Sequence, residues 1–212
     1  MCSADYITGD AGVLLSVDMK ALILLATLKK DGLSNTLTLS EFLAEKMRKK
    51  KIAVDIVRLA ELNIPPGTYS DMGDGDDWPS VLEQILAADI IIFATPIWWN
   101  NLSSLMQRVI ERLDELQDQV MEGKPSGLEG KSAGIVVTGD SDGAQSLIGG
   151  IANFFNAVGL ILPPYSTLTV LWAGQAKGKT PTRKQLMAKY EKDYADTADT
   201  MVKQLIAARK GK

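Results

Sequence analysis

The stretch DIIIFATPIWWNN, residues 89 to 101, joins a run of apolar residues to a loop that holds two tryptophans and two asparagines. Ile90 to Ala94 predicts a strand buried on both faces, as the central strands of parallel sheets are. A helical pattern begins near Ser103, so the loop stands between a buried strand and a helix. This unit indicates an α/β protein and makes the loop a candidate ligand site.

Four further apolar runs alternate with segments of helical periodicity on either side of this stretch. The other predicted strands are 21–26, 52–56, 133–137 and 168–172. The apolar stripes of the predicted helices run through 39–47, 81–86, 105–116, 147–158 and 186–205. Parallel neighbours need crossover connections, and the helices supply them. The sequence therefore predicts a doubly wound α/β domain: a five-stranded parallel sheet with helices on both faces.

Length and composition predict one globular domain at residues 20–212, preceded by an N-terminal extension at residues 1–19 that is an ordered arm, a disordered tail or non-native. The net charge of −3 gives no reason to expect nucleic acid as a partner. Cys2 is the only cysteine, which excludes an internal disulfide and favours the reducing cytoplasm. No apolar run approaches the ~20 residues of a membrane span, so no membrane association is predicted.

Three loops are candidates for ligand binding, because ligands of open α/β sheets bind beyond the carboxyl ends of the strands, where strand order reverses. They follow the first, third and fourth strands, and they read TLKKDGLSNT (27–36), TPIWWNN (95–101) and TGDSDGA (138–144). We call them the first, third and fourth loops, after the strands that they follow.

Several classes of catalytic, metal-binding and nucleotide-binding site are excluded by the composition of the chain and the patterns in these loops. The chain contains no histidine, which removes histidine triads, histidine-based zinc sites and two-histidine iron sites. Gly139 to Gly143 matches the nucleophile-elbow pattern, but Ser141 then has no histidine base. No G-x-G-x-x-G follows the first strand, which argues against a dinucleotide fingerprint. No metal ligands are predicted.

The first loop ends in Ser34-Asn35-Thr36 at the start of a helix. A helix N-terminus offers unpaired N–H groups and a partial positive charge, and hydroxyl side chains can join them around a phosphate. Lys29 or Lys30 could add a cation. The alternative is ordinary helix capping, for which these residue types are also preferred.

The tryptophan pair suggests a flat ligand. Neighbouring side chains in an extended or turning segment point in different directions, so we expect one of Trp98 and Trp99 to pack inward and the other to face the cleft. An aromatic ligand could stack on the second ring, while Asn100 or Asn101 satisfies its heteroatoms. A phosphate at the first loop and a flat heterocycle at the third describe a mononucleotide with a large ring system.

With these three loops, Lys20 to about Ala173 resembles the flavodoxin-like superfamily, specifically its NAD(P)H-dependent FMN reductase branch. The resemblance implies FMN as cofactor, with phosphate and ribityl contacts from Leu28, Lys29, Ser34, Asn35 and Thr36. It implies ring contacts from Pro96, Ile97, Trp98, Trp99 and Asn100, and contacts to the ring's polar edge from Thr138, Gly139, Asp142 and Gly143.

The resemblance also implies an activity. A nicotinamide, NADH or NADPH, would pass hydride to flavin N5, and the reduced flavin would pass electrons to a small-molecule acceptor in ping-pong turns. The enzyme would be a homodimer or homotetramer. Two other functions remain open: a flavodoxin-type electron carrier that is reduced by a protein partner, and a flavin-free interaction domain on the same scaffold.

An acidic loop, DMGDGDD at residues 71–77, suggests calcium at first sight. Its spacing fails the EF-hand pattern, which needs ligands at alternate positions and a closing glutamate. We therefore predict a solvated loop that ends in a helix N-cap at Asp77, with Pro79 in the first turn of the helix.

Overall fold

The computed structural model describes residues 19–174 and 181–210, and its centre is a parallel sheet in the order β2-β1-β3-β4-β5. The strands are β1 Lys20–Leu25, β2 Ala53–Arg58, β3 Ile90–Pro96, β4 Ser132–Gly139 and β5 Thr167–Leu171. The five predicted strands are confirmed. Strand order reverses between β1 and β3, so the crevice opens at the carboxyl ends of these two strands. The predicted extension lies outside the described residues, except for Met19.

Helices cover both faces of the sheet, as predicted. They are α1 Asn35–Lys49, α2 Trp78–Ala87, α3 Ser104–Arg112, α4 Asp114–Met121, α5 Ala144–Ala157 and α6 Arg183–Lys210. One core layer packs α1 and α6 against the sheet, and the other layer packs α2, α3, α4 and α5 against the opposite face. Each layer removes apolar side chains from water, which is the main force that stabilises the fold.

The central strands are buried on both faces because their side chains alternate between the two core layers. In β1, Leu22 and Leu24 belong to the layer beneath α2 to α5, whereas Ile23 and Leu25 belong to the layer beneath α1 and α6. This alternation explains why these strands are continuous apolar runs in the sequence.

The helix predicted at 105–116 is interrupted, so its predicted continuity is wrong. Helix α3 ends at Arg112, and α4 begins at Asp114. The backbone N–H of Glu115 donates to the carbonyl of Thr68 at 3.2 Å, in the long loop between β2 and α2. The apolar stripe nevertheless continues across the break, because Leu113 and Leu116 are both buried. The sequence pattern predicted the buried side and missed the break in the backbone.

The prediction of a solvated acidic loop is wrong for Asp76. Its carboxylate forms an ion pair with Arg112 at 2.5 Å, and the two side chains are 1 % and 0 % exposed. Asp77 occupies the N-cap position of α2, and the proline in its first turn is confirmed. The Asp77 carboxylate does not cap the helix, however; it accepts from the backbone N–H of Asn63 at 2.7 Å.

The helices in residues 19–174 and 181–210 include none with the length and apolar character that a membrane crossing requires.

Candidate functional site

A cavity of about 750 Å³ lies at the carboxyl end of the sheet, where β1, β3 and β4 end. Its volume is typical of small-molecule sites, which are roughly 300–1,000 Å³. It is lined by Thr27, Leu28, Lys29, Ser34, Asn35, Thr36, Pro96, Ile97, Trp98, Trp99, Asn100, Thr138, Gly139, Asp140, Ser141 and Asp142. All predicted site residues except Gly143 are therefore brought together. Thr27, Asp140 and Ser141 were not among the predicted cofactor contacts, although they belong to the same loops.

The side chain of Ser34 caps helix α1, so the alternative of ordinary helix capping is confirmed for this residue. Its Oγ accepts from the backbone N–H of Leu37 at 3.2 Å and donates to the hydroxyl of Thr27 at 3.0 Å. The backbone N–H groups of Asn35 and Thr36 have no acceptor among the described residues. These two groups at the start of α1 are free to bind an anion.

The hydroxyls of Thr36 and Thr138 lie 2.7 Å apart and link α1 to the end of β4. Thr36 is 2 % exposed and Thr138 is 3 % exposed. Their mutual hydrogen bond uses one of two hydroxyl protons, which leaves one proton for a ligand. The ammonium of Lys29 donates to the carbonyl of Leu33 at 3.0 Å, and two of its three donors remain. The β1 side of the cavity thus offers several donors to a phosphate.

The third loop is a tight two-residue turn. The backbone N–H of Trp98 donates to the carbonyl of Asn101 at 2.8 Å, and the N–H of Asn101 donates back at 2.9 Å. Trp99 and Asn100 have positive φ values of 50° and 61°, which is the pattern of a type I′ turn. Asparagine is common in that conformation, whereas a bulky residue such as tryptophan is unusual there.

The prediction that one tryptophan of the pair packs inward is wrong: Trp98 is 52 % exposed and Trp99 is 93 % exposed. Strand β3 has already ended, and the turn lifts both indoles away from the sheet. Ile97 takes the inward place, since a Cβ on Gly139 would lie 2.9 Å from its Cδ1. The buried tryptophan is Trp78 on α2, which the sequence did not single out.

Gly143 holds the third and fourth loops together. It adopts a positive φ of 86° immediately before α5, and a Cβ there would lie 2.8 Å from the Cα of Asn100. Only glycine permits this approach. Gly143 therefore lies behind the cavity wall and positions the turn that carries Trp98 and Trp99.

The fourth loop brings two carboxylates to the β4 side of the cavity. The hydroxyl of Ser141 lies 3.1 Å from a carboxylate oxygen of Asp140 and 3.2 Å from one of Asp142. Both carboxylates are exposed. The cavity lining thus has a cation on the β1 side and anions on the β4 side. This polarity fits FMN, whose phosphate would lie near α1 and whose uncharged ring would lie near the turn.

Trp99 contributes little to folding in this geometry, and Trp98 contributes less than a core tryptophan would. We expect Trp99→Ala to change the free energy of unfolding of the apoprotein by less than about 1 kcal/mol, because a side chain that is 93 % exposed makes few contacts. Trp98→Ala should cost roughly 1–2 kcal/mol, since about half of that side chain is covered. Urea denaturation measures this. A loss of about 3–5 kcal/mol, as truncation of a core tryptophan causes, would contradict the exposed positions.

Comparison with known proteins identifies the family. A family model described as NADPH-dependent FMN reductase matches residues 19–171. The chain is 31 % identical over 163 residues to a protein named divalent metal cation transporter MntH of Mycobacterium bovis, which covers 74 % of the chain and 24 % of that protein. It is 30 % identical over 168 residues to 8-demethyl-8-aminoriboflavin-5′-phosphate synthase of Streptomyces davaonensis, covering 74 % of the chain and 65 % of the synthase. The chain thus spans about a quarter of the length of the first relative and just under two thirds of the length of the second.

Solved structures agree with this assignment. RosB with bound 8-demethyl-8-formylriboflavin-5′-phosphate superposes with a TM-score of 0.74 at 25 % identity, covering 91 % of this chain and 79 % of that one. A flavodoxin of Streptococcus pneumoniae superposes with a TM-score of 0.54 at 19 % identity, covering 89 % of this chain and 98 % of that one, which shows a shared fold. The predicted flavodoxin-like fold is confirmed, and the chain belongs to the NADPH-dependent FMN reductase family.

Proposed function

We propose that this protein is an FMN-dependent NAD(P)H oxidoreductase that transfers electrons to a small-molecule acceptor. The observation that carries the proposal is the cavity itself, which combines anion donors at the start of α1 with an aromatic turn at the end of β3. When bound, FMN would supply the redox chemistry by accepting hydride from a nicotinamide and reducing the acceptor. The protein supplies binding, orientation and electrostatics.

The β1 side of the cavity would hold the phosphate and ribityl chain. Lys29 contributes charge, and the N–H groups of Asn35 and Thr36 contribute hydrogen bonds. Leu28, half exposed at 48 %, would cover the ribityl chain. Ser34 fixes the start of α1 through its capping bond. We assign this residue an indirect role, because its hydroxyl is already engaged.

The third and fourth loops would hold the isoalloxazine ring. Pro96, Ile97, Trp98 and Asn100 would contact the ring, and Thr138, Gly139 and Asp142 would lie at its polar edge. Carboxylates near this edge disfavour added negative charge, so Asp140 and Asp142 would lower the reduction potential of the flavin. Their exposure to water keeps this effect small.

The family favours an enzyme over an electron carrier. The family model describes NADPH-dependent reductases, and an FMN-dependent NADPH-azoreductase of Staphylococcus aureus is 29 % identical over 123 residues. The likeness to flavodoxin rests on fold alone. NADH or NADPH and the acceptor would enter the same cavity in turn, because each must reach the flavin ring that this cavity would hold.

We propose that the protein is a homodimer or homotetramer, on the strength of the family resemblance, and that it is cytoplasmic. The single cysteine favours the reducing cytoplasm.

A second candidate comes from the likeness to a synthase that makes a modified riboflavin phosphate. The flavin phosphate would then be converted as a substrate in the same cavity. Mass spectrometry of the flavin recovered after turnover separates the two functions. Unchanged FMN supports the reductase, whereas a new flavin mass supports the synthase.

We expect NADPH to bleach the FMN-loaded protein under anaerobic conditions, and a quinone to restore the oxidised spectrum. Steady-state rates with varied NADPH and quinone should give parallel double-reciprocal lines, because both substrates use one cavity in alternation. Stopped-flow absorbance and initial-rate kinetics measure these outcomes. Intersecting lines would require a ternary complex and separate sites, and slow or absent bleaching would instead support the electron carrier.

A further inference from the structure

We propose that Trp99 forms the stacking face for a planar, fused-ring electron acceptor, while Trp98 serves the flavin ring. This assignment deepens the proposed function and rests on it, because it places the second substrate within the same cavity. It gives the adjacent tryptophans different ligands instead of the division between core and cleft that the sequence suggested.

The backbone of Trp99 is held in an unfavourable conformation. Its φ of 50° lies in the left-handed region, which bulky residues rarely adopt. Strained residues of this kind occur most often at ligand clamps and active sites, where the surrounding structure maintains them. The strain therefore favours a role in binding.

The turn that carries Trp99 is rigidly supported. Trp98 and Asn101 exchange two backbone hydrogen bonds, and the side-chain amide of Asn101 donates to the carbonyl of Trp99 at 2.9 Å. Asn100 rests directly on Gly143. The backbone position of Trp99, and with it the direction of its Cα–Cβ bond, is thus set before any ligand arrives, which lowers part of the entropic cost of binding.

Trp99 lies at the outer edge of the cavity. The buried members of the lining, such as Thr36 and Thr138, form its floor. Trp99, at 93 % exposure, has almost no protein neighbour, whereas half of Trp98 is covered. A molecule that covers Trp99 therefore lies outside one that reaches the floor. That outer position is where a second substrate enters.

The chemistry of the outer position specifies the acceptor. An indole face gives the greatest stacking overlap to a flat fused-ring system and less overlap to a single ring. The carboxylates of Asp140 and Asp142 line the same cavity and disfavour an anionic acceptor. A neutral bicyclic quinone has the required shape and charge.

The test compares Trp99→Ala, Trp99→Phe and Trp98→Ala in the FMN-loaded protein. The acceptors are 2-methyl-1,4-naphthoquinone and 1,4-benzoquinone. The binding probe is 2-naphthol, which is not reduced and is followed through the flavin absorbance. The dissociation constant of FMN and the molecular mass in solution are measured for each variant.

We expect Trp99→Ala to raise the KM for the naphthoquinone and the Kd for 2-naphthol about threefold to tenfold, as the loss of one stacking contact does. The KM for benzoquinone should change less than twofold. For the naphthoquinone, KM should change by a larger factor than kcat. Trp99→Phe should restore most of the loss. Trp98→Ala should instead weaken FMN binding.

An equal rise in KM for both quinones would overturn the proposal, as would weaker FMN binding by Trp99→Ala. A fall in molecular mass on Trp99→Ala would also overturn it, because the indole would then belong to a subunit contact. Measurements on the wild-type protein separate a failure of the proposed function from a failure of the Trp99 assignment. If it binds no FMN or is not bleached by NADPH, the proposed function fails and this assignment fails with it.

Discussion

The apoprotein should bind FMN at least about 100-fold more tightly than riboflavin. The phosphate would receive hydrogen bonds from the N–H groups of Asn35 and Thr36 and from the ammonium of Lys29. Charge-assisted hydrogen bonds contribute roughly 1.5–3 kcal/mol each. Even two of these three bonds therefore correspond to a factor of about 10²–10⁴ in the dissociation constant. Titration of the apoprotein with each flavin, followed by fluorescence quenching, measures both affinities.

A matched pair of lysine variants isolates the phosphate contact. Lys29 lines the cavity, whereas Lys30 does not. Lys29→Met should weaken FMN binding about tenfold and leave riboflavin binding unchanged, and Lys30→Met should affect neither. Equal affinities of the wild type for FMN and riboflavin would remove the phosphate role of the first loop.

Arg112→Met should lower the free energy of unfolding by about 3–5 kcal/mol, because it leaves a buried carboxylate without its cation. Arg112 donates to Asp76, to the carbonyl of Tyr69 at 2.8 Å and to that of Pro65 at 3.2 Å. Its guanidinium also lies 5.6 Å from the ring centre of Trp78. One side chain thus ties the loop between β2 and α2 to the end of α3. Urea denaturation monitored by circular dichroism measures the loss.

The control is the ion pair between Arg209 and Asp89, whose side chains are 36 % and 21 % exposed. Arg209→Met should cost less than about 1 kcal/mol, since water screens an exposed pair. Similar losses from the two arginine variants would show that burial does not strengthen the Arg112 pair.

Acid should weaken the ion pair between Asp76 and Arg112. Burial alone would raise the pKa of the Asp76 carboxyl, but hydrogen bonds from Arg112, Trp78 and Met72 together hold that pKa below its usual value. Hydrogen bonding from Ser70 lowers the pKa of Glu115 as well. A lowered folded-state pKa contributes stability above the unfolded-state pKa, and this contribution is lost as pH falls through the folded-state value. In Arg112→Met, the acid-dependent loss of stability should be smaller.

The sequence by itself determined the sheet and the place of the cavity. Strands buried on both faces are continuous apolar runs, so β1 and β3 can be recognised from the sequence. Parallel strands end at one edge of the sheet, so the loops after β1, β3 and β4 had to meet there. This topology selected the three loops, and the resemblance to the FMN reductase family selected the residues within them. All but one of those residues line the cavity.

Only the tertiary structure decided what the side chains in those loops do. The exposure of both Trp98 and Trp99 depends on a turn that Gly143 permits from more than 40 residues away along the chain. Asp76 is buried because Arg112, 36 residues later, neutralises it. Periodicity and propensity report on near neighbours in sequence, whereas these contacts join loops and helices that meet only after the sheet has formed. Their energies depend on burial and charge pairing across the fold, which local sequence does not encode.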